Sequence, residues 1–185
     1  MQVKTIGIHF VFACLFLGVG GLGCGSSPAS TPPDPTAFGN KYKIADNQIP
    51  GWTQDPDPTT YWTGTDLVTA GIDGGNVLYD EKGFRQGMFE ILDAPNQECD
   101  LRAMDFGTDA KATAMFTYQQ KANQASISIG QYDASTAIGS SVIGGINAFA
   151  HFGASYFELA LTGFADQASA ASVAAKFLAV LQADQ

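Results

Sequence analysis

Hydrophobic and polar positions alternate along two pairs of segments, which predicts two antiparallel hairpins. The first hairpin joins 86–92 to 99–103 through turn-forming residues at 93–96. The second joins 148–152 to 155–161 through a tight turn and is the clearest hairpin in the chain. Both patterns place one face of each strand toward a core and the other toward solvent or a second layer.

Helical signals surround these hairpins. N-cap residues at 63–66 precede a glycine-interrupted stretch that runs toward Lys82, and a second helix is predicted from 108 to about Gln120. A closing helix opens at Asp166 or Ser169 and carries apolar residues at four-residue steps. Because the strands come in adjacent runs, the order predicts an α+β fold with an antiparallel sheet and about three helices.

The N-terminal segment has the pattern of a secretory signal. One lysine precedes an apolar run that turns glycine-rich and stops at Cys24. Gly21-Leu22-Gly23-Cys24 resembles a bacterial lipobox, although Leu22 stands two residues before the cysteine and the usual position is three before. The resemblance implies cleavage before Cys24 and lipidation of its thiol, including palmitate; an ordinary cleaved signal or an uncleaved anchor are the alternatives.

The composition after Cys24 predicts how the chain is divided. The expected organisation is a signal peptide over 1–23, a Ser/Pro/Thr-rich flexible tether over 24–40, and a single globular domain over 41–185. Since Gly25, not aspartate, follows Cys24, the lipoprotein resemblance implies sorting to the outer membrane in a cell that has one. Secreted and periplasmic locations are the alternatives.

Charge and composition exclude several classes. A net charge of −9, with nine basic residues and no contiguous basic block, argues against a nucleic-acid partner. Charged residues make up only 15% of the chain, and aromatic residues are plentiful, so extensive disorder is not expected. Cys99 would have no partner once Cys24 is acylated, which predicts no disulfide framework.

Candidate catalytic and metal-binding residues are few. His151, the single histidine after the signal peptide, lies in an aromatic strand; a dyad with Ser155 or Asp166 is conceivable, but a structural histidine is favoured. One histidine and one thiol cannot supply the four ligands of a zinc site. Cys99 is expected to be a small buried residue. We therefore predict no catalytic residue, no metal site and no cofactor.

Acidic residues offer oxygen ligands without a recognised metal motif. Asp73, Asn76 and Asp80 recur at helical steps, and three further aspartates cluster near 100–109. The calcium-loop pattern of alternating Asp/Asn ending in glycine is missing, so solvated caps and turns explain these acids better. A carboxylate pair for hydrolysis could be present among the 18 acids, but the sequence does not select one.

Aromatic residues flank the loop from Gln54 to Thr60. Candidates for a ligand or partner surface are Trp52, Tyr61 and Trp62, because aromatic residues on a loop often contact a ligand or a partner protein. The alternative interpretation, which we favour, is that they fold over the sheet and cover the core.

Two segments resemble an uncharacterised family of bacterial exported proteins, a domain of unknown function with an Ile-Asn-Gly, aromatic, Gly-Phe signature. The first runs from Ile72-Asp73-Gly74-Gly75 to Gly83-Phe84, and the second from Met104-Asp105-Phe106-Gly107 to Phe116. The chain has Val77 where the family often has glutamate. The resemblance implies an exported protein with an element order similar to the PsbP-like fold of the photosystem II oxygen-evolving P-subunit.

These observations predict a lipid-anchored protein of the bacterial cell envelope, with a membrane contact through the lipid and an unidentified protein or small-molecule partner. A non-enzymatic binding or accessory module is favoured. A carboxylate-dependent hydrolase and a purely structural envelope component are the alternatives.

Overall fold

The computed structural model describes residues 33–57, 59–64 and 76–185. The predicted signal peptide, Cys24 and most of the segment predicted to be a tether lie outside this range, as does most of the first predicted helix. The described residues form four helices and eight strands. In chain order they are α1 (Pro35–Tyr42), β1 (Thr53–Gln54), β2 (Thr60–Thr63), α2 (Asn76–Glu81), β3 (Gln86–Ala94), β4 (Gln97–Asp105), α3 (Asp109–Ala122), β5 (Ile127–Ser128), β6 (Ala137–Val142), β7 (Gly145–Phe152), β8 (Ser155–Thr162) and α4 (Gln167–Ala183).

The strands form one antiparallel sheet, which confirms the predicted α+β class. Its spatial order is β1–β3–β4–β8–β7–β6–β5, with β2 also paired to β3. Both predicted hairpins are present as β3–β4 and β7–β8, and β4 pairs with β8 in the middle of the sheet. The β3–β4 turn places Asn96 in the left-handed region at φ 62, which asparagine tolerates better than most residues.

Helices cover both faces of the sheet. On one face, α1 and α4 bury the alternate positions of the central strands: Tyr42 packs edge-to-face on Phe157, and Gln167 of α4 bonds Ser141. On the other face, α3 packs on β7 and β8, and the ring centres of Phe116 and His151 lie 5.0 Å apart. Burial of apolar residues between these layers is the main stabilising contribution.

The helix ends follow from local capping. Thr108 and Asp166 accept hydrogen bonds from the backbone N–H groups three residues ahead, at 3.4 Å and 2.7 Å, and so begin α3 and α4 at the predicted positions. Gly83 at φ 83 follows α2, as expected of a helix-terminating glycine. In the described part of the chain, no helix is both long and apolar enough to span a bilayer.

The structure corrects the predicted boundary between tether and domain. Helix α1 begins at Pro35, where the tether was expected to continue to residue 40. Asp34 caps the helix by accepting the Ala37 N–H at 3.0 Å, and proline at the first position suits a helix start. The helix lies so close to the sheet that a Cβ on Gly39 would overlap Tyr61. Gly39 and the adjacent asparagine are poor helix formers, so helix propensity alone does not predict α1.

Candidate functional site

The two tryptophans are buried, and this corrects the prediction of an exposed aromatic surface. Trp52 and Trp62 are 4% and 2% exposed. Trp52 packs edge-to-face on Phe177 of α4 at 5.0 Å, and Trp62 stacks on Phe84 at 6.2 Å. Trp62 fits because it pairs with Gly87, whose missing side chain leaves room for the indole.

Tyr61 alone among the three predicted surface residues is half-buried. Its hydroxyl donates to the Asn40 side chain at 2.9 Å, which ties β2 to α1. The three aromatic residues therefore cover the core, in agreement with the alternative interpretation of the sequence.

His151 lies in a structural environment. Its Nε2 is 2.9 Å from the Ser135 carbonyl, and Nδ1 lies 3.4 Å from the Thr113 hydroxyl and 3.7 Å from an Asp109 oxygen. Ser155 pairs with Phe152, so it points to the opposite face of the sheet from His151. The conceivable dyads with Ser155 and Asp166 are not formed, because Ser155 bonds Tyr42 and Asp166 caps α4.

Cys99 is fully buried on β4. Burial raises the pKa of its thiol well above the ordinary value, and the neighbouring carboxylates raise it further. The thiol is thus a packed core group, as the sequence predicts, and not an activated nucleophile. Among the described residues, no group of three or more His, Cys, Asp and Glu side chains is arranged to hold a metal ion.

A row of four side chains crosses the sheet on the face that α3 covers only in part. Register places Phe89, Arg102, Glu158 and Phe149 side by side on β3, β4, β8 and β7; we call these residues the cross-strand row. The Arg102 guanidinium lies 4.9 Å from the centre of the Phe89 ring. A small cleft of about 140 Å³ opens beside Arg102, Glu158 and Phe149, with Asn147 on its rim.

Glu158 is held firmly within this row. Its Oε1 accepts hydrogen bonds from Tyr156 at 2.9 Å, from Tyr79 at 3.0 Å and from the Gln119 amide at 3.2 Å. These donors come from β8, α2 and α3, so three elements fix one carboxylate oxygen. Burial, reinforced by the Glu158 charge, raises the pKa of both tyrosines, which keeps them protonated as donors.

Arg102 contributes an unpaired donor to the same surface. Its Nε is buried and has no hydrogen-bond partner among the described residues. Leaving a buried donor unsatisfied costs about 1–3 kcal/mol, so a group of this kind favours the binding of a partner that completes its hydrogen bonding. The row thus combines one cationic donor, one oriented carboxylate and two aromatic rings.

A second concavity lies at the edge of the sheet, where an insertion separates β1 from β2. Gln54 pairs with Leu92 and Thr60 pairs with Phe89, so the pairing of β1 and β2 with β3 is interrupted opposite Glu90 and Ile91. The resulting cleft measures about 250 Å³; we call it the edge cleft, and its lining residues are Asp57, Thr60, Phe89, Glu90 and Ile91.

Glu90 is the unusual residue of the edge cleft. It is 3% exposed; its Oε2 accepts the Ile44 N–H at 3.3 Å, and its Oε1 is buried without a hydrogen-bond partner among the described residues. Burial raises the pKa of Glu90 to about 7, against the smaller lowering effects of the Ile44 bond, the Lys43 charge and the Gln54 side chain. The Glu90 side chain lies with Met88 and Leu92 on the inward face of β3, opposite Phe89 and Ile91, so a carboxyl that changes charge near neutrality is buried behind this cleft.

Other carboxylates lie toward the end of β3 that adjoins the β3–β4 turn. Asp55 and Asp93 interact closely enough that burial, their hydrogen bond and mutual repulsion raise the pKa of Asp93. The pKa of Glu98 is also raised, first by its partial burial and then by the nearby negative charges of three aspartates, Asp100 among them. This edge of the sheet is accordingly a region of negative potential.

The sequence interpretation named neither Glu90 nor the cross-strand row. Glu90 did leave a signal, because it occupies an inward position between the apolar Met88 and Leu92 of an alternating strand. Arg102 and Glu158 could not be recognised from the sequence, because each occupies an ordinary outward position. Only the pairing of strands that are distant in sequence brings them together.

Comparisons with known proteins add little to this geometry. No protein-family model and no curated protein matches the sequence. Among solved structures, the extracellular domain of PknH from Mycobacterium tuberculosis is similar to this chain at 15% sequence identity and a TM-score of 0.43, over 71% of this chain and 81% of that chain. A likeness this distant carries no argument about function.

Proposed function

We propose that the protein is a lipid-anchored module of the bacterial cell envelope that binds a small polar ligand without catalysing its conversion. The observation that carries the binding role is the cross-strand row, in which a firmly held carboxylate stands beside an arginine with an unsatisfied buried donor. Ligand sites are commonly concave surfaces with aromatic walls and a few oriented polar groups.

The ligand class follows from the row. Arg102 offers N–H donors to a carboxylate, phosphate or carbonyl group, while Glu158 offers an acceptor to a hydroxyl or amine. The oriented Glu158 needs no rearrangement, because Tyr79, Tyr156 and Gln119 hold it before a ligand arrives. Preorganisation of this kind lowers the cost of binding.

The lipid anchor rests on the sequence. The apolar run ending in Gly23-Cys24 and the Ser/Pro/Thr-rich segment after it support lipidation at Cys24, and Gly25 supports placement in the outer membrane. Two or more acyl chains hold a protein stably to a bilayer, whereas a single chain is marginal.

Fractionation of host cells tests the anchor. We expect the wild-type protein in the membrane fraction and the Cys24→Ser variant outside it or retained as uncleaved precursor. Cys14→Ser is the matched control, since it removes a thiol from the signal peptide and leaves the processing cysteine. Equal distribution and processing of wild type and Cys24→Ser would contradict lipidation at this residue.

Native mass spectrometry of protein extracted in mild detergent tests the binding role. We expect a non-covalent mass on the wild type that is reduced in Glu158→Gln and retained in Glu81→Gln, a matched change at an exposed position of α2. A wild-type spectrum without bound mass, or identical occupancy in Glu158→Gln, would contradict the assignment of this site.

A carboxylate-dependent hydrolase is a second candidate because Asp57 lines the edge cleft and the interacting carboxyl groups of Asp55 and Asp93, with the pKa of Asp93 raised, lie beside it. The two functions differ in what happens to the ligand. A binding module releases the bound molecule unchanged after denaturation, whereas a hydrolase yields cleavage products whose formation stops in Asp93→Asn.

A further inference from the structure

Arg102 and Glu158 face each other on two paired strands, yet they form no ion pair. The register of β4 and β8 sets the two residues directly opposite, where side chains of opposite charge ordinarily attract each other. In the described part of the chain, neither residue takes part in a salt bridge. The two charges can therefore be bridged by a third group that lies between them.

Contacts on opposite sides hold the two charges apart. The Arg102 guanidinium lies 4.9 Å from the centre of the Phe89 ring on β3. Since β3 and β8 flank β4 on opposite sides, this contact draws the guanidinium away from Glu158. The Glu158 carboxylate is held in turn by its three donors from β8, α2 and α3.

Each of the two side chains keeps hydrogen-bonding capacity that the described residues do not use. The buried Nε of Arg102 has no partner. Glu158 accepts all three of its hydrogen bonds on Oε1, so Oε2 has no donor within the described structure. A ligand carboxylate would satisfy the guanidinium, and a ligand ammonium would satisfy Oε2.

The cleft of about 140 Å³ lies beside these two charges on the same face of the sheet. Strand register places on that face the side chains that line it, which are Arg102, Asn147, Phe149, Glu158 and Ala160. Leu159 points to the other face and borders the cleft with its backbone. Since pockets for drug-sized ligands measure about 300–1,000 Å³, this cleft suits a ligand of few atoms.

The surrounding charges disfavour a ligand of one sign. Glu98 and Asp100 precede Arg102 on the same face of β4, so a simple anion on Arg102 would lie close to these acids and to Glu158. A simple cation on Glu158 would face Arg102. A ligand with one charge of each sign avoids both repulsions and gains both attractions.

We propose that the cleft beside the cross-strand row binds a small α-amino acid in its zwitterionic form, with the ligand carboxylate on Arg102 and the ligand ammonium on Glu158. Phe149 and Ala160 supply apolar wall for the side chain of the ligand. The inference rests on the binding role proposed above and adds the ligand class and the residue that holds each ligand group.

The test uses the full chain in mild detergent, labelled with ¹⁵N at the arginine Nε atoms. The chain has two arginines, so two Nε–H signals are expected. Arg102 reports binding, and Arg85, which lies 3.6 Å from Asp105, is the internal reference. We expect L-alanine to shift the Arg102 signal saturably and to leave the Arg85 signal in place.

Two analogues of L-alanine each lack one of its charged groups. Propionate keeps the carboxylate without the ammonium, and ethylammonium keeps the ammonium without the carboxylate. Each is expected to bind the wild type at least about 10-fold more weakly than L-alanine, because each loses one charge-assisted hydrogen bond. This comparison needs no variant, so it does not depend on how a substitution affects folding.

Two variants assign the ligand groups to their residues, with binding measured by equilibrium dialysis of ¹⁴C-labelled ligands. Glu158→Gln is expected to bind L-alanine and propionate alike, since it loses the partner of the ammonium. Arg102→Gln is expected to bind L-alanine and ethylammonium alike. The matched controls Glu81→Gln and Lys121→Gln, at exposed positions of α2 and α3, are expected to keep the wild-type preference.

Four results would overturn the proposal: no saturable shift of the Arg102 signal, equal affinity of the wild type for L-alanine and either analogue, an unchanged preference in either variant, or tighter binding of inorganic phosphate than of L-alanine. A Glu158-dependent bound mass without L-alanine binding would overturn the amino-acid assignment and leave the proposed binding role intact. Absence of both would overturn the two together, so the two failures are distinguishable.

Discussion

Replacing Glu90 with glutamine should make the protein more stable above neutral pH. The pKa of Glu90 is raised from 4.5 to about 7 in the folded chain, mainly because the side chain is buried. The folded state therefore binds more protons than the unfolded state between those values, and the free energy of unfolding falls as the pH rises through that window. Above pH 7 this contribution levels off.

The magnitude follows from the two pKa values. Each tenfold difference in acidity corresponds to about 1.4 kcal/mol, so the buried carboxylate costs the folded state up to about 3 kcal/mol at pH 8. Glu90→Gln removes the charge and keeps an oxygen that can accept the Ile44 N–H. At pH 5 we expect the variant to match wild type within about 1 kcal/mol, and at pH 8 to exceed it by up to about 3 kcal/mol.

Denaturant unfolding at pH 5 and pH 8 measures this difference, and thermal unfolding should show a gain of about 5–10 °C at pH 8. Glu81→Gln, a matched change at an exposed position, should follow wild type at both pH values. Parallel pH profiles for wild type and Glu90→Gln would refute the reasoning, as would a Glu90 carboxyl that titrates near pH 4.5 by ¹³C NMR.

Three further predictions concern other parts of the fold. Cys99 should resist alkylation in the native protein and react only on unfolding, which thiol labelling with and without denaturant measures. Gly163→Ala should lose at least about 1–3 kcal/mol, because φ is 82 and the new Cβ would overlap the Asn96 carbonyl; Gly144→Ala, at φ 74 in open space, should lose less. Trp52→Ala should lose about 3–5 kcal/mol in denaturant unfolding, whereas a surface indole would cost under about 0.5 kcal/mol.

Local signals were sufficient for the central hairpins and for α3 and α4. Each of these strands alternates apolar and polar residues, and each helix has a capping residue at its start. The sequence argument missed β6, whose small residues show no alternation; Gly139 allows Ile127 and Ile129 to pack against the strand. Short edge strands such as β1 carry too few residues for a period to be recognised.

The candidate sites were harder to predict from the sequence than the helices and hairpins. The cross-strand row depends on the register between β4, β8 and β7, which local patterning does not specify. Loop position alone does not determine burial, so the sequence left two interpretations of the aromatic residues open and favoured a cover over the core; in the structure Trp62 packs inward over Gly87. Glu90 alone was detectable, as an acid at an inward strand position.

The most direct test of the proposed envelope anchoring is an intact mass measurement of the protein extracted from its host's membranes and denatured before analysis. The account predicts a chain that begins at Cys24 and carries the additional mass of covalently attached acyl chains. A chain that begins at any other residue, or that begins at Cys24 with no added mass, would contradict it.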